Sequence, residues 1–226
     1  MTGKRHEDTK TVTLNIQQGQ PPLYRRGVGV EAETQPNANS NTQTLKNSNA
    51  IMIGLIRKIL FRKGIREQLA QQKRNRQVHT IESARTIGLL FDATSENARK
   101  ESLEFAKALE KQGKKVHKLG FFNAKQMPDI SEFDGFSLKE TTFTGQPKSD
   151  KADQFTREKF DLLLTLNPDE LPALAWVALQ SQAAFKIGFA TENPNDYDLQ
   201  LETPEGKGVR YFTEQLAVYL GKIVLT

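Results

Sequence analysis

The sequence predicts an α/β domain of three layers, with a mainly parallel sheet of about five strands between helices, preceded by a basic amphipathic helix and a disordered N-terminus. Three observations carry that prediction. The runs Thr86-Ile-Gly-Leu-Leu-Phe-Asp92 and Phe160-Asp-Leu-Leu-Leu-Thr-Leu166 are short and almost continuously apolar, as strands buried on both faces of a parallel sheet are. Stretches with apolar residues at helical spacing alternate with such runs. The 226 residues are 37% hydrophobic and 26% charged, enough for one core with extensions outside it.

Residues 1–50 are rich in Thr, Asn, Gln and Pro, as in Gln35-Pro-Asn-Ala-Asn-Ser-Asn-Thr-Gln43. They hold too little apolar surface to offset the entropy of ordering, so they are assigned to a disordered tail, with Met52 an alternative start. Residues 51–77 form the basic helix. Met52, Leu55, Ile56, Ile59 and Leu60 recur there at helical spacing. Gly64 is a weak point, costing about 1 kcal/mol relative to alanine. The polar run Gln68-Leu-Ala-Gln-Gln-Lys73 offers little to anchor the helix, which is expected to project or to pack loosely.

Residues 78–226 form the α/β domain. A connector over 78–84 has room for a short strand at 78–81. The first strand ends at Asp92, Thr94 or Ser95 caps the next helix, and Glu96 favours the positive end of its dipole. Ala98, Ser102, Phe105, Ala106 and Leu109 give that helix a buried face, and Gly113 stops it. Lys115–Phe122 is the second strand, completing a right-handed βαβ unit. Between 123 and 157, turn signals at Met127-Pro-Asp, Asp134-Gly and Thr144-Gly-Gln-Pro147 separate short extended pieces. A short helix over 153–159 closes that crossover.

Phe160-Asp-Leu-Leu-Leu-Thr-Leu166 is the third strand, and Asn167-Pro168 ends it. A helix then starts at Asp169-Glu-Leu-Pro172, where a proline in the first turn removes no intrahelical bond. The runs Phe185-Lys-Ile-Gly-Phe189 and Tyr197-Asp-Leu-Gln-Leu201 are the fourth and fifth strands. A final helix over 208–223 buries Phe212, Leu216, Tyr219 and Leu220. The expected sheet order is second, first, third, fourth, fifth. The seven residues between the last two strands are too few for a helical crossover, which leaves an antiparallel course open for the fifth.

The net charge of +5 is unevenly spread. Residues 51–78 hold eight Lys/Arg and one acidic residue, whereas residues 79–226 hold eighteen against twenty-two. A mildly acidic body thus carries a basic arm, whose cations are Arg57, Lys58, Arg62, Lys63, Arg66, Lys73, Arg74 and Arg76. Such a set is the solvated face of a packed helix, or it docks on RNA or a ribosomal surface, or it lies on an anionic membrane surface. Docking on RNA or the ribosome is the leading functional reading, that of a non-enzymatic binding protein.

In open α/β sheets, ligands sit beyond the carboxyl ends of the strands where the strand order reverses. Asp92, Thr94, Ser95, Asn167 and Asp169 collect at that place. Helix N-termini there can hold an anion, which makes a nucleotide or sugar phosphate the expected ligand of this alternative reading. The same residue types are also the usual caps and turn formers.

No G-x-G-x-x-G or G-x-x-x-x-G-K-[ST] follows the first strand, and no G-x-S-x-G elbow occurs, so dinucleotide, Walker-type and hydrolase chemistry lack support. Gly206-Lys-Gly208 reads as a turn or a weak phosphate grip. His6, His79 and His117 are few and scattered, and without cysteine there is no thiolate zinc site. No cofactor, metal or catalytic residue is assigned. Asp161 reads as a loop or cap residue and Trp176 as core. The N-terminus has no apolar signal core and no run approaches the roughly 18–20 residues that span a bilayer, which points to a cytoplasmic protein.

Arg62-Lys-x-x-x-Arg66-Glu-x-Leu, Lys73-Arg74, Thr86-Ile-Gly-Leu-Leu-Phe-Asp-Ala-Thr94, Gly120-Phe-Phe, Phe160-Asp-Leu-Leu-Leu and Phe185-Lys-Ile-Gly form a recognisable series. From Met52 onward, this layout resembles an uncharacterised family of small Bacteroidota proteins, a domain of unknown function with a basic N-terminal helix before a Rossmann-like α/β domain. The order Phe160-Asp-Leu-Leu-Leu, helix, Phe185-Lys-Ile-Gly-Phe189 is also similar to the N-terminal half of heptosyltransferase-type glycosyltransferases. Those enzymes carry a Gly-Asp after the first strand and a second domain for the nucleotide sugar, and neither is found here. That likeness implies the fold and argues against the activity, leaving a glycosyltransferase-like use of the Asp92/Asn167 crevice as an alternative.

Overall fold

The computed structural model describes residues 38–129 and 131–220, with side chains from residue 48. The chain divides into a unit Met1–Thr42 and a unit Gln43–Thr226, and the second holds the sheet. Expectations placed on residues 1–37, among them most of the disordered tail and His6, lie outside the described residues. The elements are α1 (Ala38–Gln71), β1 (Thr86–Asp92), α2 (Glu96–Lys111), β2 (Lys115–Phe122), β3 (Asp134–Ser137), α3 (Asp150–Arg157), β4 (Leu162–Leu166), α4 (Pro172–Gln180), β5 (Phe185–Phe189), β6 (Leu199–Leu201) and α5 (Val209–Leu220).

The six strands form one sheet in the order β3-β2-β1-β4-β5-β6, with every neighbouring pair parallel. Period-2 alternation divides their side chains between two cores. Ile87, Leu89, Leu164 and Ile187 pack with Ala106 and Leu109 of α2 and Phe212 and Leu216 of α5. Leu90, Leu119, Phe121 and Leu163 face Phe155 of α3 and Leu174 and Val177 of α4. Right-handed crossovers require this division, because β1 to β2 runs one way along the sheet and β4 to β5 runs the other.

α2 is capped by Ser95, whose Oγ accepts the Ala98 N–H at 3.4 Å, and Gly113 follows its end at φ 80°. Only glycine takes that left-handed turn without a Cβ penalty. Asp161 acts as a bracket between strands: its Oδ2 accepts from the Arg85 and Thr86 N–H groups, both at 2.8 Å, and from Thr86 Oγ1 at 3.0 Å. Burial raises its carboxyl, but these donors outweigh burial and hold it below the ordinary value.

The expected order of five strands stands, with a sixth added at the edge. β3 has only four residues, and its Asp134-Gly135 pair carries a turn signal that hides it. The fifth expected strand, β6, runs parallel to β5. No helix is needed for that return. Nine residues, 190–198, reach about 30 Å when extended, enough to run back along a five-residue strand. This strap lays Tyr197 flat on the sheet over Gly188, where a Cβ would stand 2.7–2.9 Å from the Tyr197 ring. The expected strand at 78–81 is absent: Gln77 N–H makes one bond to Ala184 O, at 3.1 Å, and the chain then turns.

Outside α4 lies a third, smaller core. α4 is buried on both sides, since Leu174 and Val177 face the sheet while Trp176 and Leu179 receive Phe61 and Ile65 from α1. The Phe61 and Trp176 rings meet edge to face at 6.3 Å. A Cβ on Gly64 would lie 3.1 Å from the Trp176 ring. Gly64 therefore leaves room for the Trp176 ring, and α1 is anchored there.

Candidate functional site

A crevice of about 490 Å³ opens beyond the carboxyl ends of β1 and β4, where the connections leave in opposite directions. Of the residues expected at this place, Asp92, Ser95 and Asp169 line it, while Thr94 and Asn167 are not among its lining residues. Most of their polar atoms hold the local chain. Asp92 is 5% exposed, and its Oδ1 accepts the Thr94 N–H at 2.8 Å. Thr94 Oγ1 accepts the Asn123 N–H at 2.8 Å. Asn167 brackets Leu171, accepting its N–H at 2.8 Å and donating to its carbonyl at 3.2 Å. Asp169 is exposed.

The opposite wall is Thr203-Pro-Glu-Gly-Lys-Gly208, leading into α5. Gly206 turns at φ 76°, so Gly206-Lys-Gly208 is a turn that also faces the crevice. The first turn of α5 already has a carboxylate beside it, because Glu101 Oε2 accepts the Arg210 N–H at 3.1 Å. Asp92, Glu101, Asp169 and Glu205 line the crevice with Lys207 as its one lining Lys or Arg. That balance repels phosphate more than it attracts it. Among the described residues, no cluster of His, Asp and Glu could hold a metal ion.

The basic arm divides into cations inside the fold and cations outside it. The Arg74 side chain is 1% exposed. Its Nη1 donates to the carbonyls of Ala183 and Ala184, both at 2.9 Å, and its Nη2 to the Asp196 carbonyl at 3.1 Å and both Asp198 oxygens at 2.9 and 2.8 Å. Nε stands 3.5 Å from Asp196 Oδ2 without hydrogen-bond geometry. Beside it Lys186, fully buried, places Nζ 2.7 Å from Asp196 Oδ2 and 3.1 Å from the Leu179 carbonyl. Burial pushes the Lys186 ammonium down to about 8, with Asp196 opposing. Burial likewise pushes the neighbouring Tyr197 phenol up.

This network ties the segment after α1 to the strap before β6. It was not foreseen from sequence, because Asp196 and Asp198 lie some 120 residues from Arg74. A lysine within an otherwise apolar strand was the available signal, since a buried ammonium requires a carboxylate partner.

Arg76 remains 60% exposed, 3.4 Å from Asp198 Oδ1. Arg62 Nε donates to Asn193 Oδ1 at 2.8 Å, and Asn193 in turn donates to Glu170 in the β4–α4 turn. Lys63 pairs loosely with Glu67 at 3.8 Å. Arg57 is half-buried, and Lys58, Arg66 and Lys73 are exposed. The structure thus brings the eight basic residues together on one arm but presents only part of them to solvent.

The same arm exposes its aliphatics. Met52, Leu55, Ile56, Ile59 and Leu60 are between 43% and 59% exposed, with Ile51 and Ile53 also open. No helix among the described residues is long and apolar enough to cross a membrane.

A family described as a family of unknown function (DUF6913) matches residues 57–223, and the chain belongs to it. The match begins within α1, so it includes the anchoring residues Phe61 and Ile65 as well as the whole sheet. No curated protein matches the chain.

Proposed function

We propose that this member of the DUF6913 family is a docking protein, in which the α/β body is the scaffold and the outward side of α1 is the contact surface for an anionic partner. One observation carries the reading. α1 is fixed to the body through Phe61 and Ile65, while Lys63 and Arg66 stay on its outward side and Lys58, on the turn before Phe61, is also exposed. The cations are therefore held on a rigid element and kept apart from the acidic body. RNA, a ribosomal surface and an anionic membrane all offer the charge that such a helix would meet. The crevice reading is weaker on chemistry, because the crevice walls carry four carboxylates, and Asp92 and Ser95 already have partners.

Retention on an immobilised polyanion tests the reading. Full-length protein is expected to bind at low salt and elute as salt rises, with a slope set by the number of contacts. The triple reversal Lys58→Glu, Lys63→Glu, Arg66→Glu should abolish retention without changing the melting temperature. Unchanged retention in that variant, or none in the wild type, contradicts the proposal.

A further inference from the structure

We infer that the partner surface is a lipid bilayer with anionic headgroups, on which α1 lies as an in-plane anchor; this rests on the reading of α1 as the docking arm. The geometry of the helix selects the partner. At about 100° per residue, the midline through Met52, Leu55, Ile56, Ile59 and Leu60 falls about 150° from the midline through Phe61, Ile65 and Leu69. The second set is the one seated on Trp176 and Leu179. The first therefore points away from the body, and its exposure shows that nothing in the described chain covers it. Soluble monomers seldom leave several large aliphatics together in water.

Beyond Leu60 the same outward side continues as Lys63 and Arg66, both exposed. Aliphatic and basic surface thus follow one another along one side of one helix. A bilayer surface meets both: the aliphatics enter the headgroup–acyl boundary and the cations stay among the phosphates. Each cation near an anionic leaflet adds roughly fivefold to partitioning. RNA would neutralise Lys63 and Arg66 but leave the aliphatics uncovered, since phosphate contacts come from charged and polar groups. A second copy laid parallel along the stripe would bring the basic residues of two arms together, which like-charge repulsion opposes; an antiparallel copy is an outcome the dimerisation measurement below reads.

Co-sedimentation of the full-length protein with vesicles tests the inference. Binding is expected to mixed phosphatidylcholine–phosphatidylglycerol vesicles and to be weaker, by a factor of ten or so, for phosphatidylcholine alone. The double variant Leu55→Ser, Ile59→Ser should lose at least about tenfold in vesicle binding with an unchanged circular dichroism spectrum and melting temperature, because both side chains are already in water. It should keep its low-salt retention on the polyanion. Equal vesicle binding by variant and wild type overturns the lipid assignment. So does retention of RNA without vesicle binding, which leaves the docking arm standing and changes its partner. Concentration-dependent dimerisation that the double variant abolishes, without vesicle binding, overturns the lipid in favour of a second copy. Failure on vesicles and polyanion alike removes both readings.

Discussion

Arg74 and Arg76 stand two positions apart in one basic run and do different work. Arg74 is enclosed by two carbonyl acceptors from the turn before β5 and by Asp196 and Asp198. Arg76 reaches one of the same carboxylates from the solvent side. Removing Arg74 takes one cation from a buried cluster of two carboxylates and leaves the Ala183 and Ala184 carbonyls without its donor, so Arg74→Ala is expected to cost about 3–5 kcal/mol. Arg76→Ala should cost under about 1 kcal/mol, as exposed pairs do. Urea denaturation of the two variants decides it, and equal losses would mean that the buried network is not what holds the arm's end. Nothing in the local sequence separates these two arginines. The difference is written in Asp196 and Asp198, on a strap whose path back along β5 becomes visible only once β6 is placed.

At the scale of elements, β1, β4 and β5 were legible because strands buried on both faces must be almost wholly apolar, and β2 because its apolar end Leu119-Gly-Phe-Phe122 follows the helix stop at Gly113. The helices between them were legible from caps and stops such as Ser95 and Gly113. β3 and β6 were harder, one because four edge residues with an Asp-Gly pair resemble a turn, the other because a bare strap replaces the usual crossover helix. The anchoring of α1 had a signal that went unread. Pro172-Ala-Leu-Ala-Trp-Val-Ala-Leu179 is apolar all round, and a helix of that kind is covered on both sides. Its second cover is Phe61 and Ile65. Ile65→Ala, at a site 1% exposed, should therefore destabilise the protein by about 2–4 kcal/mol. Ile59→Ala, six residues earlier and 57% exposed, should stay within about 0.5 kcal/mol. Comparable losses at both sites would show that the N-terminal half of the arm is also packed.

Across the whole molecule, the residues expected at the crevice are largely accounted for as caps and brackets of the chain, as their residue types allowed from the start. Among the described residues, the run of exposed aliphatics Met52, Leu55, Ile56, Ile59 and Leu60 lies on α1. Residues 61–71 of α1 belong to the body through Trp176, and residues 51–60 offer aliphatic surface with cations beyond it. That contrast makes a direct prediction for amide hydrogen exchange in the full-length protein. Packed backbone opens only against the free energy of its contacts, whereas an unpacked helical segment opens at little cost. Residues 61–71 should exchange slowly and residues 48–60 quickly in the protein alone. Adding phosphatidylcholine–phosphatidylglycerol vesicles should slow residues 48–60 by roughly tenfold or more while β1 and β4 are unchanged. Slow exchange over residues 48–60 before any vesicle is added, or no change on adding them, would contradict the account.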